Sequence, residues 1–149
     1  MTQEEINAYL EETNAFRARH EAPPLTWDSG LAKEAYSVAK QNAEKGELEH
    51  IVTSGHGQNL YMVYGTRVPQ SPLTSADASW QDEKKLWDKK STKTYYGDTG
   101  HYTQVVWKAT TRVGCGVADG VVSTLPAKFV ACNYSPAGNV LGQFDTQVS

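Results

Sequence analysis

Two histidines and one glutamate are the residues whose types and positions suggest chemistry. His50 lies in a glycine-containing loop after a predicted helix, and His101 lies in the first turn of another predicted helix. Glu83 follows Trp80 by three residues within a further predicted helix. Two imidazoles and a carboxylate can together hold a divalent metal ion with an open coordination position. The three residues are far apart in the sequence, so the alternative is that each histidine is structural.

A hydrolase or a phosphate-binding protein would need other motifs. The sequence contains no Gly-x-Ser-x-Gly segment, the turn that exposes the nucleophile of many serine hydrolases. Ser54 is the serine nearest to the loop histidines, and nothing in the sequence places it against a base. The segment GHGQN, residues 55–59, lacks the lysine and the strand-then-helix context of a phosphate-binding loop. The residues alone therefore favour neither activity.

The two cysteines, Cys115 and Cys132, lie on segments that both resemble strands. Two thiolates are too few for a closed structural zinc site. A disulfide across the 17-residue separation would stabilise the fold by roughly 3 kcal/mol in the chain-entropy model. The alternative is two buried free thiols in a cytosolic protein. A bridge would indicate an oxidising compartment.

Length and composition suit one domain over residues 1–149. The chain is 39% hydrophobic and 21% charged with a net charge of -3, which is ordinary for a globular protein. It has no clustered basic residues of the kind that bind nucleic acid and no apolar run long enough to span a bilayer. The opening residues MTQEEINAYLEETN are polar and predict a helix. We therefore expect no signal peptide in this chain, which would be the mature form of a secreted protein.

Four predicted helices and two late strands must position the candidate residues. Capping residues and helical spacing predict helices that begin after Thr2, Asp28, Ser75 and Thr99. The first should end near His20 and the second at Gly46, with Tyr36 on its packed face; the fourth should reach Lys108. An apolar segment covers 60–64, and strands are predicted at 113–118 and 128–134. This order favours an α+β fold with helices covering an antiparallel sheet.

Aromatic residues on the first helix allow two interpretations. Tyr9 and Phe16 follow helical spacing with the apolar residues around them, which is typical of core positions. The alternative is that they form the wall of an apolar groove between helices that accepts a lipid chain.

Several longer segments together resemble one known family. GHYTQVVW, residues 100–107, and CNYSPAGNV, residues 132–140, resemble the two signatures of the CAP superfamily of cysteine-rich secretory proteins, antigen 5 and pathogenesis-related 1 (PR-1) proteins. GQNL at 57–60 and NAFRARHEAPPLTWDSGLAKEAY at 14–36 match other parts of its pattern in the right order. The similarity is nearest to plant and fungal PR-1-like members. It implies a three-layer α-β-α sandwich with a central antiparallel sheet, and a disulfide between Cys115 and Cys132.

The resemblance also implies a central cleft. His101 corresponds to one cleft histidine, His50 to the other and Glu83 to one of two acids, while the second acid is replaced by the neutral Gln58. The serine that often follows the loop histidine is Ile51 here. His56 lies only two residues before Gln58, too close for the family pattern. We therefore expect weak, non-essential binding of zinc by His50 and His101, with Glu83 as a direct or outer partner.

The function implied by the resemblance is that of a secreted, non-enzymatic protein. Several members of the family bind sterols or fatty acids outside the cell, so lipid is the expected partner, with Tyr9 and Phe16 as candidate groove residues. The alternatives are a metal-assisted hydrolase that uses the cleft, or a precursor or interaction protein that meets cell-surface or host proteins. In some plant members a signalling peptide begins at a position matching Pro136, so cleavage after Ser135 is a further prediction.

Overall fold

The computed structural model describes residues 1–53, 55–94 and 97–149. The helices are α1 (Gln3–Arg19), α2 (Ser29–Lys45), α3 (Pro72–Asp82), α4 (Lys84–Asp88), α5 (Gly100–Val105) and α6 (Phe144–Gln147), and a 3-10 turn covers Gly97–Thr99. The strands are β1 (Thr26–Trp27), β2 (Gly57–Tyr64), β3 (Arg112–Val122) and β4 (Leu125–Ser135). No helix in these described ranges is long and apolar enough to cross a membrane.

The four strands form one sheet in the order β1-β3-β4-β2. The pairs β3–β4 and β2–β4 are antiparallel, and the two-residue β1 joins β3 in parallel. Helix α2 packs on one face of the sheet, whereas α1, α3 and α5 group on the other. The predicted α+β sandwich is therefore confirmed, and its sheet is antiparallel except at β1.

Local signals placed the first two helices correctly. The hydroxyl of Thr2 accepts a hydrogen bond from the backbone N–H of Glu5, and the carboxylate of Asp28 accepts one from that of Leu31. Both bonds satisfy an N–H that the first turn of a helix leaves without a partner. Gly46 ends α2 in the left-handed conformation, with φ of 72°, where glycine has no steric penalty.

The prediction that Tyr36 packs inward was wrong, because its side chain is exposed. The backbone of α2 lies directly on Gly116 of β3, where an added Cβ would come 2.3 Å from the Cα of Tyr36. Backbone contact at this point leaves no room for a side chain between the helix and the sheet. The phenol ring therefore lies outside the contact between α2 and the sheet.

Later element boundaries differ from the predicted ones. Helix α3 begins at Pro72 rather than after Ser75, since proline needs no hydrogen-bond acceptor at the first helical position. Helix α5 ends at Val105, so Lys108 lies beyond it. Strands β3 and β4 are longer than predicted and meet at a turn in which Ser123 and Thr124 both have positive φ. Neither residue is typical of such a turn, so the sequence contained no signal for it.

The predicted disulfide is confirmed. Cys115 and Cys132 are direct cross-strand partners in β3 and β4, and their sulfur atoms are bonded. Both residues are buried. The bridge thus ties the two central strands of the sheet within the core.

Tyr9 and Phe16 are core residues, as the packing interpretation had it. Tyr9 is 0% exposed and Phe16 is 7% exposed. The Tyr9 ring meets Trp27 edge-on at 6.4 Å, and the Phe16 ring meets Tyr102 edge-on at 6.1 Å. In this structure the two residues therefore hold α1 on the core instead of forming an open groove.

A buried arginine joins α1 to the segment after α5. Arg17 is fully buried, and its guanidinium donates hydrogen bonds to the carbonyl oxygens of Val105, Trp107 and Thr110 at 2.8–2.9 Å. Its Nε donates to the carbonyl of Pro23 at 2.8 Å. Loss of hydration lowers the pKa of Arg17 to about 10, so it still carries its charge at neutral pH. This residue anchors the end of the helix on which His101 lies.

Candidate functional site

A cleft of about 450 Å³ brings the four predicted residues to one place. Its walls are the loop after α2, the first residues of β2, the junction of α3 with α4, the start of α5 and residues 137–139. His50, Gln58, Glu83 and His101 all line it. The residues that the sequence separates thus share a single cavity.

His101 is paired with Glu83. The Nδ1 atom of His101 lies 2.6 Å from Oε2 of Glu83, and the other carboxylate oxygen accepts from the backbone N–H of Tyr102 at 3.1 Å. The imidazole also stacks on Trp80, with ring centroids 6.0 Å apart and planes 16° apart. An ionised carboxylate can only accept, so Nδ1 carries the proton. Glu83 and Trp80 together fix the orientation of the ring.

His50 is paired with Gln58. The Nδ1 atom of His50 lies 3.0 Å from Oε1 of Gln58, which also accepts from the backbone N–H of Ile51 at 3.1 Å. The amide nitrogen of Gln58 donates to the carbonyl of Ile51 at 3.0 Å and to Oδ1 of Asn133 at 2.8 Å. A carboxylate has no donor for these two oxygens. Gln58 therefore makes two hydrogen bonds that a glutamate at this position could not donate, and it joins the loop of His50 to β4.

The two histidines share a pattern at their ring nitrogens. Each uses Nδ1 on a side-chain oxygen, and neither Nε2 is hydrogen-bonded to another described residue. Within residues 1–53, 55–94 and 97–149, however, no three histidine, cysteine, aspartate or glutamate side chains are grouped to hold a metal ion. A metal ion in the cleft could therefore be bound by at most two imidazoles, those of His50 and His101. Glu83 and Gln58 would hold these rings from the side opposite the ion.

A third histidine, His56, also lines the cleft. The sequence analysis excluded it because its spacing from Gln58 does not match the family pattern. Its Nδ1 lies 3.3 Å from Oε1 of Glu34 on α2, and the same oxygen accepts from the hydroxyl of Thr53 at 2.6 Å. Gln58 lies in the second position of β2. Side chains two residues apart on extended chain point the same way. The spacing from His56 to Gln58 was thus the signal that could have identified His56.

The floor of the cleft contains Gln104, a second residue that the sequence reasoning missed. Its side-chain oxygen accepts from the backbone N–H of Gly138 at 2.9 Å, and its nitrogen donates to the hydroxyl of Thr110 at 3.1 Å. A Cβ on Gly57 would come 2.0 Å from that oxygen. Glycine is therefore required where β2 crosses this amide.

Two further residues singled out in the sequence are Ser54 and Ser135. Ser54 lies outside the described residues, and no serine, threonine or cysteine is among the described residues that line the cleft. Ser135 is buried at the end of β4, where its hydroxyl accepts from Arg112 at 3.1 Å, while Pro136 is exposed. Cleavage between Ser135 and Pro136 stays a prediction, and a protease would have to open this strand end first.

Comparisons with known sequences give consistent matches. The profile of the cysteine-rich secretory protein family, CAP, matches residues 10–134. Venom allergen 5 of Microctonus hyperodae is 39% identical over 125 residues, which are 80% of this chain and 54% of that protein. Pathogenesis-related protein 1B of Nicotiana tabacum is 40% identical over 141 residues, 91% of this chain and 77% of that protein. The chain thus spans about half of the venom allergen's length.

Solved structures share the fold. BmVAL-1 aligns with a TM-score of 0.78 at 23% identity, over 95% of this chain and 81% of that one. NaASP2, solved with Zn2+, aligns with a TM-score of 0.71 at 25% identity, over 95% of this chain and 84% of that one. The sandwich is therefore common to these proteins despite low sequence identity.

Proposed function

Because this chain belongs to the cysteine-rich secretory protein (CAP) family, we propose that it is a secreted, PR-1-like binding protein whose cleft holds a divalent cation weakly. The role is non-catalytic, and zinc is an accessory ion. The observation that carries the metal site is the shared use of Nδ1 by His50 and His101 on side-chain oxygens. Metal-binding imidazoles are oriented in this way by an outer partner, which leaves Nε2 for the ion. NaASP2, with a similar fold, was solved with Zn2+.

Zinc titration of the purified protein tests the site. We expect weak binding by the wild type, loss of binding in His101→Ala, and binding about 10–100-fold weaker in Glu83→Gln, because an outer carboxylate orients the ring and raises its basicity. Calorimetry measures the affinities, and an unchanged unfolding midpoint shows that the variants are folded.

His56→Ala is the matched control, since it removes a third cleft imidazole that is held by Glu34. We expect this variant to bind zinc like the wild type. Equal affinity in wild type and His101→Ala would contradict the assignment. Ester or peptide hydrolysis by the zinc-loaded wild type that disappears in His101→Ala would support the hydrolase alternative instead.

Lipid binding is the second proposed function, and the loop beside the cleft is the feature that favours it. Leu48, Ile51 and Val52 are exposed apolar side chains on the segment between α2 and β2, and Val52 lines the cleft. Grouped apolar side chains at the rim of a cavity are typical of a ligand or membrane contact. This loop therefore replaces Tyr9 and Phe16 as the proposed lipid-binding surface.

A sterol and a long-chain fatty acid, tested separately, are suitable probes for this surface. We expect the double variant Ile51→Glu/Val52→Glu to bind at least about tenfold more weakly than the wild type. The isoleucine and valine that it replaces would bury apolar area against the lipid. Tyr64→Glu is the control, since Tyr64 is comparably exposed at the far end of β2. Absence of binding by the wild type, or equal losses in the two variants, would overturn the proposal.

A further inference from the structure

The outer edge of β3 is largely uncovered. β3 is an 11-residue strand, and β1 pairs with it only at Arg112 and Val113. On the other side, β4 pairs with all of β3. From Gly114 to Val122 the outer edge has no strand partner among the described residues. Natural proteins usually cover or shorten such an edge, because its backbone groups can pair with another chain.

The regular pairing with β4 shows which backbone groups face outward. The carbonyl of Val113 accepts from the backbone N–H of Asp28, on the β1 side. The register with β4 continues without a bulge to Val122. Because successive residues of a strand direct their N–H and C=O to opposite edges, Val117 and Asp119 direct theirs away from β4. Those of Ala118 are directed toward β4.

A groove of about 490 Å³ runs along this edge. Val117, Ala118 and Asp119 line it at the strand. Tyr36 and Lys40 of α2 contribute one wall, and Met1, Glu5, Gln70 and Pro72, at or before the starts of α1 and α3, contribute the other. Lys128 of β4 also lines the groove, beside Asp119. The free edge is therefore flanked by residues of both helical layers.

Each wall has one charged side chain that is available to a ligand, a lysine on one and a glutamate on the other. Among the described residues, neither Lys40 nor Glu5 has an ion-pair partner, whereas Asp119 is paired with Lys128 at 2.5 Å. A strand placed in the groove would direct alternate side chains to the two walls. An acidic side chain toward Lys40 and a basic one toward Glu5 would complement both charges.

We propose that this groove binds an extended peptide, which adds as a strand to the outer edge of β3. The peptide carries an acidic and a basic side chain an odd number of residues apart. Main-chain hydrogen bonds to Val117 and Asp119 provide affinity, and the charged walls provide selectivity. A single peptide strand fits better than a second copy of the chain, because strands must approach to about 4.8 Å and the β3 edge of a second copy would bring its own flanking helices into the groove.

The probe is the peptide acetyl-Thr-Val-Glu-Val-Thr-Arg-Thr-amide, measured by calorimetry and by amide hydrogen exchange. We expect saturable binding that slows exchange of the Val117 and Asp119 amides and leaves Ala118 unchanged. A control peptide with lysine in place of glutamate should bind about tenfold more weakly because it places like charges together. Lys40→Glu should reverse that preference.

Asp119→Pro removes an outward N–H at an edge position where proline is tolerated. It should weaken binding about tenfold. Asp119→Ala is the matched control, since it loses the same ion pair with Lys128 but keeps the N–H, and it should bind like the wild type. Equal binding by the two variants, an unchanged preference in Lys40→Glu, or no slowing at Val117 and Asp119 would overturn the proposal. Self-association that protects the same amides without peptide would also overturn it.

Discussion

Arg17→Met is expected to lower the free energy of unfolding by about 3 kcal/mol or more. Four carbonyl oxygens of the surrounding chain accept hydrogen bonds from the Arg17 guanidinium. Buried acceptors that lose a charged donor cost roughly 1–3 kcal/mol each. Removing a charge that burial has stripped of water offsets part of that loss. Methionine preserves much of the side-chain volume, so the change tests the hydrogen bonds more than the packing.

Urea denaturation measures this effect, and Arg19→Met is the control. Arg19 lies two residues further along the same helix, is exposed, and sits over the Phe16 ring at 5.4 Å. Its loss should change stability by less than about 1 kcal/mol. Similar stabilities for the two variants would show that Arg17 does not hold the segment after α5 in place.

Removal of the disulfide is expected to cost about 2–5 kcal/mol. Cys115 and Cys132 tie the two central strands, and both are buried. Without the bond, the chain gains more entropy on unfolding than the oxidised protein does, so the reduced protein is less stable. Reduced wild type and the double variant Cys115→Ala/Cys132→Ala should show similarly lowered urea midpoints. Their agreement separates the missing bond from the change in side chain.

Intact-mass measurement after alkylation without reductant checks the bridge itself. Unfolded in denaturant, the unreduced wild type should take up no alkyl groups and the reduced protein should take up two, because denaturant exposes cysteines that the fold buries. Two alkylated cysteines in unreduced, secreted protein would contradict the disulfide. Unchanged stability after reduction would show that the strands are held by packing alone.

Local structure was largely determined by the sequence. The beginnings of α1 and α2 depend on the side chains of Thr2 and Asp28 bonding backbone groups three residues away, so short segments contain all the information. The end of α2 at Gly46 depends on one backbone conformation. The disulfide and the residues of the cleft were predicted from long segments that resemble the CAP family, and the disulfide is present. The structure brings the cleft residues together in one cavity.

Burial and partner choice were decided only by the tertiary structure. Nothing near Arg17 in the sequence predicts carbonyl partners about 90 residues away. Asp77 is likewise buried, and loss of hydration raises its pKa to about 7. Tyr36 turned outward because the α2 backbone meets Gly116 of a distant strand. The open edge of β3 exists because β1 is only two residues long. Each of these outcomes depends on which distant surfaces pack together. The helical and strand periodicities of a sequence predict local elements and do not specify those long-range contacts.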